Sequence, residues 1–292
     1  MVLRELLDRV HASRSPRHLA GDPLSFCRRY RDPEDREVAA VIAAAFAYGG
    51  IKVIFRTLGA VFSELGPSPR RYVERFDSGT GLKTFAGFRH RFNDGRDLTA
   101  LLMAVRSMLT VSGSVNGFFL RFHDASSGSI ATALNGYSAA VQSMDYSAVF
   151  RQESPDPAPS FRFLFPSPAG GSACKRLCMF LRWTVRPDDG YDLGLWQGLS
   201  PSRLIIPVDT HVGRISTYIG LTGRRTADWR MAEEITAALR VLDPADPVKY
   251  DFALAHLGIS GRCTGKDPGA CCDCCLREIC RQYAALPAEP AV

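Results

Sequence analysis

Apolar and polar positions follow a helical period along almost the whole chain. The stretch DPEDREVAAVIAAAFAYGG predicts one helix, with Asp32 as N-cap, Pro33 in the first turn, acids behind it and Gly49 as its end. IKVIFRTLGAVFSELG continues the pattern up to a break at Pro67. DLTALLMAVRSMLTVSG, SVNGFFLRFHD and SIATALNGYSAAVQSM predict further amphipathic or buried helices. The segment 154–171, SPDPAPSFRFLFPSPAGG, is too rich in Pro, Ser and Gly for a long helix and reads as an irregular connection. ACKRLCMFLRWTVR, DTHVGRISTYIGL, TADWRMAEEITAALRVLD and PVKYDFALAHLG resume the helical period. Alternating strand patterns and internal repeats are absent. The expectation is an all-α protein.

Composition narrows this picture. At 292 residues and 46% apolar, the chain can bury a substantial core. No apolar run approaches the length of a membrane span, and the charged, amphipathic start reads as neither signal peptide nor anchor. A reducing, cytoplasmic location is the expectation, and there clustered cysteines favour metal binding over disulfides. The formal charge of +6 is compatible with a polyanionic partner. Arginines number 31 against five lysines (Lys52, Lys83, Lys175, Lys249, Lys266). Arginine suits bidentate phosphate contacts, but a GC-rich genome also encodes it often.

Chemistry concentrates at the tail. CTGKDPGACCDCCLREIC, residues 263–280, holds six of the nine cysteines. One register joins Cys263, Cys271, Cys274 and Cys280; the other places Cys272 and Cys275 in the middle. Either supplies four thiolates from one short loop, which suits a tetrahedral zinc or a [4Fe-4S] cluster. Cys174 and Cys178 lie one helical turn apart around Lys175 and read as buried fillers, as does Cys27.

The tail is similar to the iron–sulfur loop of endonuclease III-type DNA glycosylases, C-x6-C-x2-C-x5-C, with one extra residue in the first gap. That resemblance favours Cys263, Cys271, Cys274 and Cys280 as ligands. Upstream, IIPVDTHVGRIS (205–216) resembles the V-D-T-H-[IV]-x-R segment of the same helix-hairpin-helix superfamily. The resemblance implies that Asp209 is the catalytic carboxylate at a helix start. It also implies a hairpin in PSPAGGSACKRL, where Gly170 and Gly171 turn the chain, Ser172 caps the next helix and Lys175 is the nucleophile. DNA phosphate would meet this hairpin together with Arg176 and Arg214. Trp183 and Trp196, lying between the hairpin and Asp209, are the candidates for holding an everted base. Archaeal 8-oxoguanine glycosylases share a long insert between Lys and Asp, which points to an oxidised purine.

The resemblance further implies two helical lobes. One spans 33–190 and ends in the hairpin and Lys helix; the other joins 1–32 to 191–292 with the cysteine cluster. The expected protein is a monomeric, nucleoid-associated base-excision glycosylase acting on duplex DNA, with or without lyase activity. The other reading is a nucleic-acid-binding protein that keeps the fold without the chemistry.

Overall fold

The computed structural model describes residues 2–150, 157–261, 263–265 and 267–285. Helices dominate it, as the periodicity predicts. Among the described residues the strands are one antiparallel pair, Arg89–His90 against Asn93–Asp94. No helix there is long and apolar enough to cross a membrane. Residues 154–156 of the predicted connection lie outside the described residues. Its remainder forms a short helix, Pro159–Arg162, and a 3-10 turn, Pro168–Gly170.

Local chemistry sets most helix starts. Asp32 accepts the Glu34 amide at 2.8 Å and begins Pro33–Ala45. This helix ends at Ala45, four residues before the expected end at Gly49, because Phe46 caps it and Gly49 then turns at φ +93°. Ile51–Leu65 ends at Gly66, and Gly95–Ser112 at Gly113, both glycines with positive φ. Inside the first of these helices Ala39, Ala40, Ala43 and Ala44 are buried. Their small side chains let the Lys175–Val185 helix approach closely.

That Lys175 helix is the centre of the molecule. Every residue from Arg176 to Val185 is buried, including Arg176, Arg182 and Trp183. Helices buried all round are normally apolar; here the arginines are tolerated because Arg182 and the adjoining Arg186 are ion-paired and Arg176 donates to carbonyls. Arg182 binds Asp192 (3.2 Å) and Asp251, and Arg186 binds Asp192 and Asp246 (2.9 Å). The N-terminal helix Val2–Ala12 packs on Asp251–Ile259. Tyr250 donates to Asp8 at 2.8 Å, and Lys249 pairs with Asp8 and Asp243 at 3.2 and 2.8 Å. Arg14 and Arg28 reach Asp189 and Asp188. The N-terminal segment is thus held both to the loop around 188–192 and to the stretch before Asp251.

Candidate active site

Two positive-φ residues aim the Lys175 helix. Gly171 turns at φ +75°, and Cys174, immediately before the helix, sits at φ +49°. A non-glycine residue there is strained, and the turn it makes puts Lys175 at the first helical position. A cation at a helix N-terminus opposes the macrodipole, so its counter-charge comes from elsewhere. Asp209 provides it. Asp209 is the N-cap of Thr210–Tyr218, and its Oδ1 accepts the amides of His211 (2.9 Å) and Val212 (2.8 Å). Oδ2 is left to face Lys175 Nζ at 3.6 Å. The helix of Asp209 lies tightly on Asp251–Ile259: a β-carbon on Gly258 would stand 2.6 Å from the His211 ring.

Lys175 and Asp209 open onto a cavity of about 330 Å³. Its walls are Ile51, Ile54, Met179, Phe252 and Ile259, and its polar groups include Asp22, Arg182, Asp251 and His256. This size and mixture suit a small organic group. The other described lysines are engaged or remote: Lys52 and Lys83 are exposed away from this lining, and Lys249 is doubly paired.

The family is decided by sequence comparison over the whole body of the chain: DUF2400, described as a protein of unknown function, matches residues 22–260. The chain belongs to the DUF2400 family. Neither curated proteins nor solved structures yield a match. The resemblance to the helix-hairpin-helix glycosylase superfamily is therefore corrected, since the family found is a different one. An N-capping Asp and a cysteine spacing are short local features, and separate families can meet both. The DUF2400 match also stops before Cys263, the first cysteine of the tail.

Several single-residue expectations change with the tertiary structure. Gly170, Gly171 and Ser172 are exposed, but Ser172 is not the helix cap. Its hydroxyl accepts the Cys174 amide (3.1 Å), and Cys174 occupies the cap position. Arg176 is not free for phosphate. It is buried, donates to the carbonyls of Ala45 (2.6 Å) and Phe163, and lies over the Tyr48 and Phe163 rings. Burial lowers its pKa to about 10. Arg214 is half-buried and donates to the Cys263 carbonyl at 2.5 Å, tying the Asp209 helix to the cysteine loop. Trp183 and Trp196 do not line the cavity. Trp183 is fully buried, and Trp196 donates to Glu37 at 2.7 Å beneath the helix Val115–Leu120, whose amides Glu37 also binds.

The sequence reading missed what the cavity does contain. Asp22 looks like a plain cap for Leu24–Cys27, and Asp251 and His256 look like polar positions on an ordinary helix. It also missed an exposed aromatic pair: Phe92 and Phe163 are 54% and 41% exposed, with ring centroids 4.8 Å apart. Arg91, at φ +56°, lays its side chain on Gly49, which lines the cavity.

Asp251 gives the cavity a pH signature. Burial raises its carboxyl to about 6, against the pull of Arg182 and with the charge of Asp209 adding to the rise. A folded value above the unfolded one means stability that is present in acid and lost as pH rises through the folded value. The stability difference between the unsubstituted protein and Asp251→Asn should therefore shift against the unsubstituted protein between pH 4 and 6. Urea midpoints measured at pH 4, 5 and 6 check this.

The cysteine loop is docked on the Asp209 helix. Gly265 packs flush on Tyr218, where a β-carbon would stand 2.4 Å from the hydroxyl, and Gln282 donates to the Gly265 carbonyl at 3.0 Å. Cys271 is buried, Cys263, Cys274 and Cys280 are half-buried, and Cys272 and Cys275 are exposed. Burial raises the Cys263 thiol, Arg214 opposes the rise, and Cys274, Cys280 and Cys271 add to it, so these four sulfurs feel one another. Cys280 Sγ accepts the Tyr283 amide at 3.4 Å. Among the described residues no three His, Cys, Asp or Glu side chains are gathered at metal-binding distance.

Proposed function

We propose that this DUF2400 protein excises a damaged base from duplex DNA, with Lys175 as nucleophile and Asp209 as its carboxylate partner. The observation that carries this reading is the 3.6 Å approach of Lys175 Nζ to Asp209 Oδ2 at a cavity, across 34 residues of sequence (209 − 175). Breaking an N-glycosidic bond builds positive charge at C1′, which a fixed carboxylate stabilises. A primary amine can attack C1′. The C1′–N bond to Lys175 forms as the bond to the base breaks. The base leaves with the electron pair and takes one proton that the ammonium gives up through Asp209. Opening of the sugar ring sends a second amine proton to O4′ and leaves an iminium, from which β-elimination cuts the strand. Arginine cannot do this, because its guanidinium stays protonated.

A base in duplex DNA must leave the stack to reach a cavity. The exposed Phe92–Phe163 pair and Arg91, which lies against Gly49 of the cavity lining, would offer stacking and phosphate contacts of the kind single strands use. With lobes of 33–190 and 1–32 plus 191–292, Ile51, Ile54 and Lys175 would come from one part, and Asp22, Asp209 and His256 from the other.

In the tail, Cys263, Cys271, Cys274 and Cys280 would hold an iron–sulfur or zinc centre. They fit in donor type, and Cys272 and Cys275 are the two exposed cysteines of the loop. Such a centre supplies a covalent staple for a short chain end. Cys271→Ser and Cys274→Ser should each abolish bound metal, and Cys272→Ser and Cys275→Ser should retain it, by elemental analysis of anaerobically purified protein.

Borohydride trapping tests the reading. The protein is incubated with duplexes carrying 8-oxoguanine, thymine glycol, uracil or an abasic site, then reduced. A covalent complex that vanishes in Lys175→Gln is expected. Neither complex nor base release on any duplex would leave a non-catalytic nucleic-acid-binding protein.

A further inference from the structure

We infer that the hairpin tip Arg91–Phe92 and the neighbouring Phe163 form a surface that binds unpaired nucleic-acid bases by stacking, beside the cavity. The inference goes beyond the base-excision reading and does not depend on it, because it concerns strand binding and involves no damaged base.

The tip has the wrong residues for a turn that only reverses the chain. Arg89–His90 and Asn93–Asp94 pair antiparallel, so Arg91 and Phe92 are the two turn residues. Two-residue hairpin turns favour Gly, Asn and Asp, which accept positive φ. Here an arginine takes φ +56°, and an exposed phenylalanine follows it. Such a backbone persists only where its surroundings over-determine it, and here they do. His90 and Asn93, on either side of the tip, are wholly buried. The ring nitrogens of His90 meet Thr57 Oγ1 at 3.0 Å and the Tyr48 carbonyl at 2.9 Å. The Tyr48 hydroxyl donates to the His90 carbonyl (3.1 Å) and to Asn93 Oδ1. Asn93 Nδ2 donates to Asp97 (2.9 Å) and to the Ser160 carbonyl (2.8 Å). A buried polar network thus holds two large side chains out in water.

Phe92 meets Phe163 edge to face, and both rings meet the Tyr48 ring, at 5.7 and 5.0 Å. Buried Arg176 lies 4.2 Å from the Phe163 ring and bonds the Phe163 carbonyl. Rings fixed in this way and still exposed are preorganised for a partner. Charge decides which partner. Arg89, Arg91 and Lys52 are exposed. The nearby carboxylates are engaged: Asp94 pairs with Arg96 at 2.8 Å, and buried Asp97 accepts from Asn93 and Ser160. Exposed rings among cations suit an unpaired strand, in which every base offers a π-face and every phosphate a negative charge. An intact duplex keeps its bases stacked on one another. A second copy of this chain suits the surface less, since two rings and a turn fall far short of the roughly 800 Å² that each partner of a stable pair buries. Arg91 rests on Gly49, which lines the cavity and follows Tyr48 of the ring cluster. A strand laid on the rings therefore passes beside the cavity.

Fluorescence anisotropy with the full chain and undamaged, labelled oligonucleotides tests this. Oligothymidylate should bind about tenfold more tightly than an equally long tetrahydrofuran–phosphate strand without bases, and about tenfold more tightly than its duplex with oligoadenylate. Phe92→Leu keeps an apolar side chain without a stacking face and should lower single-strand affinity about tenfold, whereas Phe92→Trp should retain it. Arg91→Gly suits the positive φ and should weaken binding while reducing the slope of log affinity against log salt by about 0.7. Equal binding of strands with and without bases, duplex binding as tight as single-strand binding, or an affinity unmoved in Phe92→Leu overturns the inference. Borohydride trapping reads catalysis separately: strand binding with these preferences but without trapping supports this inference and overturns only the base-excision reading.

Discussion

Asp209→Asn is expected to fold as stably as the unsubstituted protein and to release base about 100- to 1,000-fold more slowly. The two effects separate because the two carboxylate oxygens do different work. Oδ1 caps the helix through the amides of His211 and Val212. Asparagine caps nearly as well as aspartate, so the helix start is preserved. Oδ2 faces Lys175, and there the substitution replaces a negative oxygen by an amide nitrogen. Positive charge growing at C1′ then meets a neutral dipole, and the Lys175 proton loses its acceptor. Asp209→Ala removes both functions and should also cost about 1 kcal/mol of stability. Urea unfolding and single-turnover base release on the same preparations read both quantities. Equal activity in Asp209→Asn and the unsubstituted protein would reduce Asp209 to a cap.

Arg182→Met is expected to destabilise the protein by about 3–5 kcal/mol, a large part of the 5–15 kcal/mol that holds a domain together. Arg182 lies between Asp192 and Asp251, and all three side chains are 5% exposed or less. Methionine fills the volume but leaves two carboxylates without that guanidinium. Asp192 keeps Arg186; Asp251 loses its ion pair and stands near Asp209. Most of the loss should therefore fall on Asp251, and adding Asp251→Asn to Arg182→Met should recover part of it. Urea unfolding of the two single variants and the double variant measures the coupling. Arg182→Lys should also destabilise, because one ammonium cannot span two carboxylates as a planar guanidinium does.

Much of the helical architecture was legible because it depends on neighbours in sequence. Asp32 and Asp209 cap helices with amides two and three residues on, Pro33 suits a first turn, and Gly66 and Gly113 close helices by positive φ. The apolar period then implies an all-α core, and the scarcity of lysine singles out Lys175. The cysteine spacing likewise separates the tail from the body. None of these signals identifies a family, which the match over 22–260 supplied.

Which polar groups lie inside was decided only by the tertiary structure. On the Lys175 helix the periodicity cannot tell a phosphate-binding arginine from a buried one. Arg176 is buried because its partners are the carbonyls of Ala45 and Phe163, 131 and 13 residues away. Trp196 belongs to the core because Glu37, 159 residues distant, takes its N–H. Asp22 and His256 become one end of a cavity only when segments 234 residues apart (256 − 22) meet. Caps and periods are settled within one or two turns of chain, whereas the environment of a buried charge is set by whatever distant segment brings its partner.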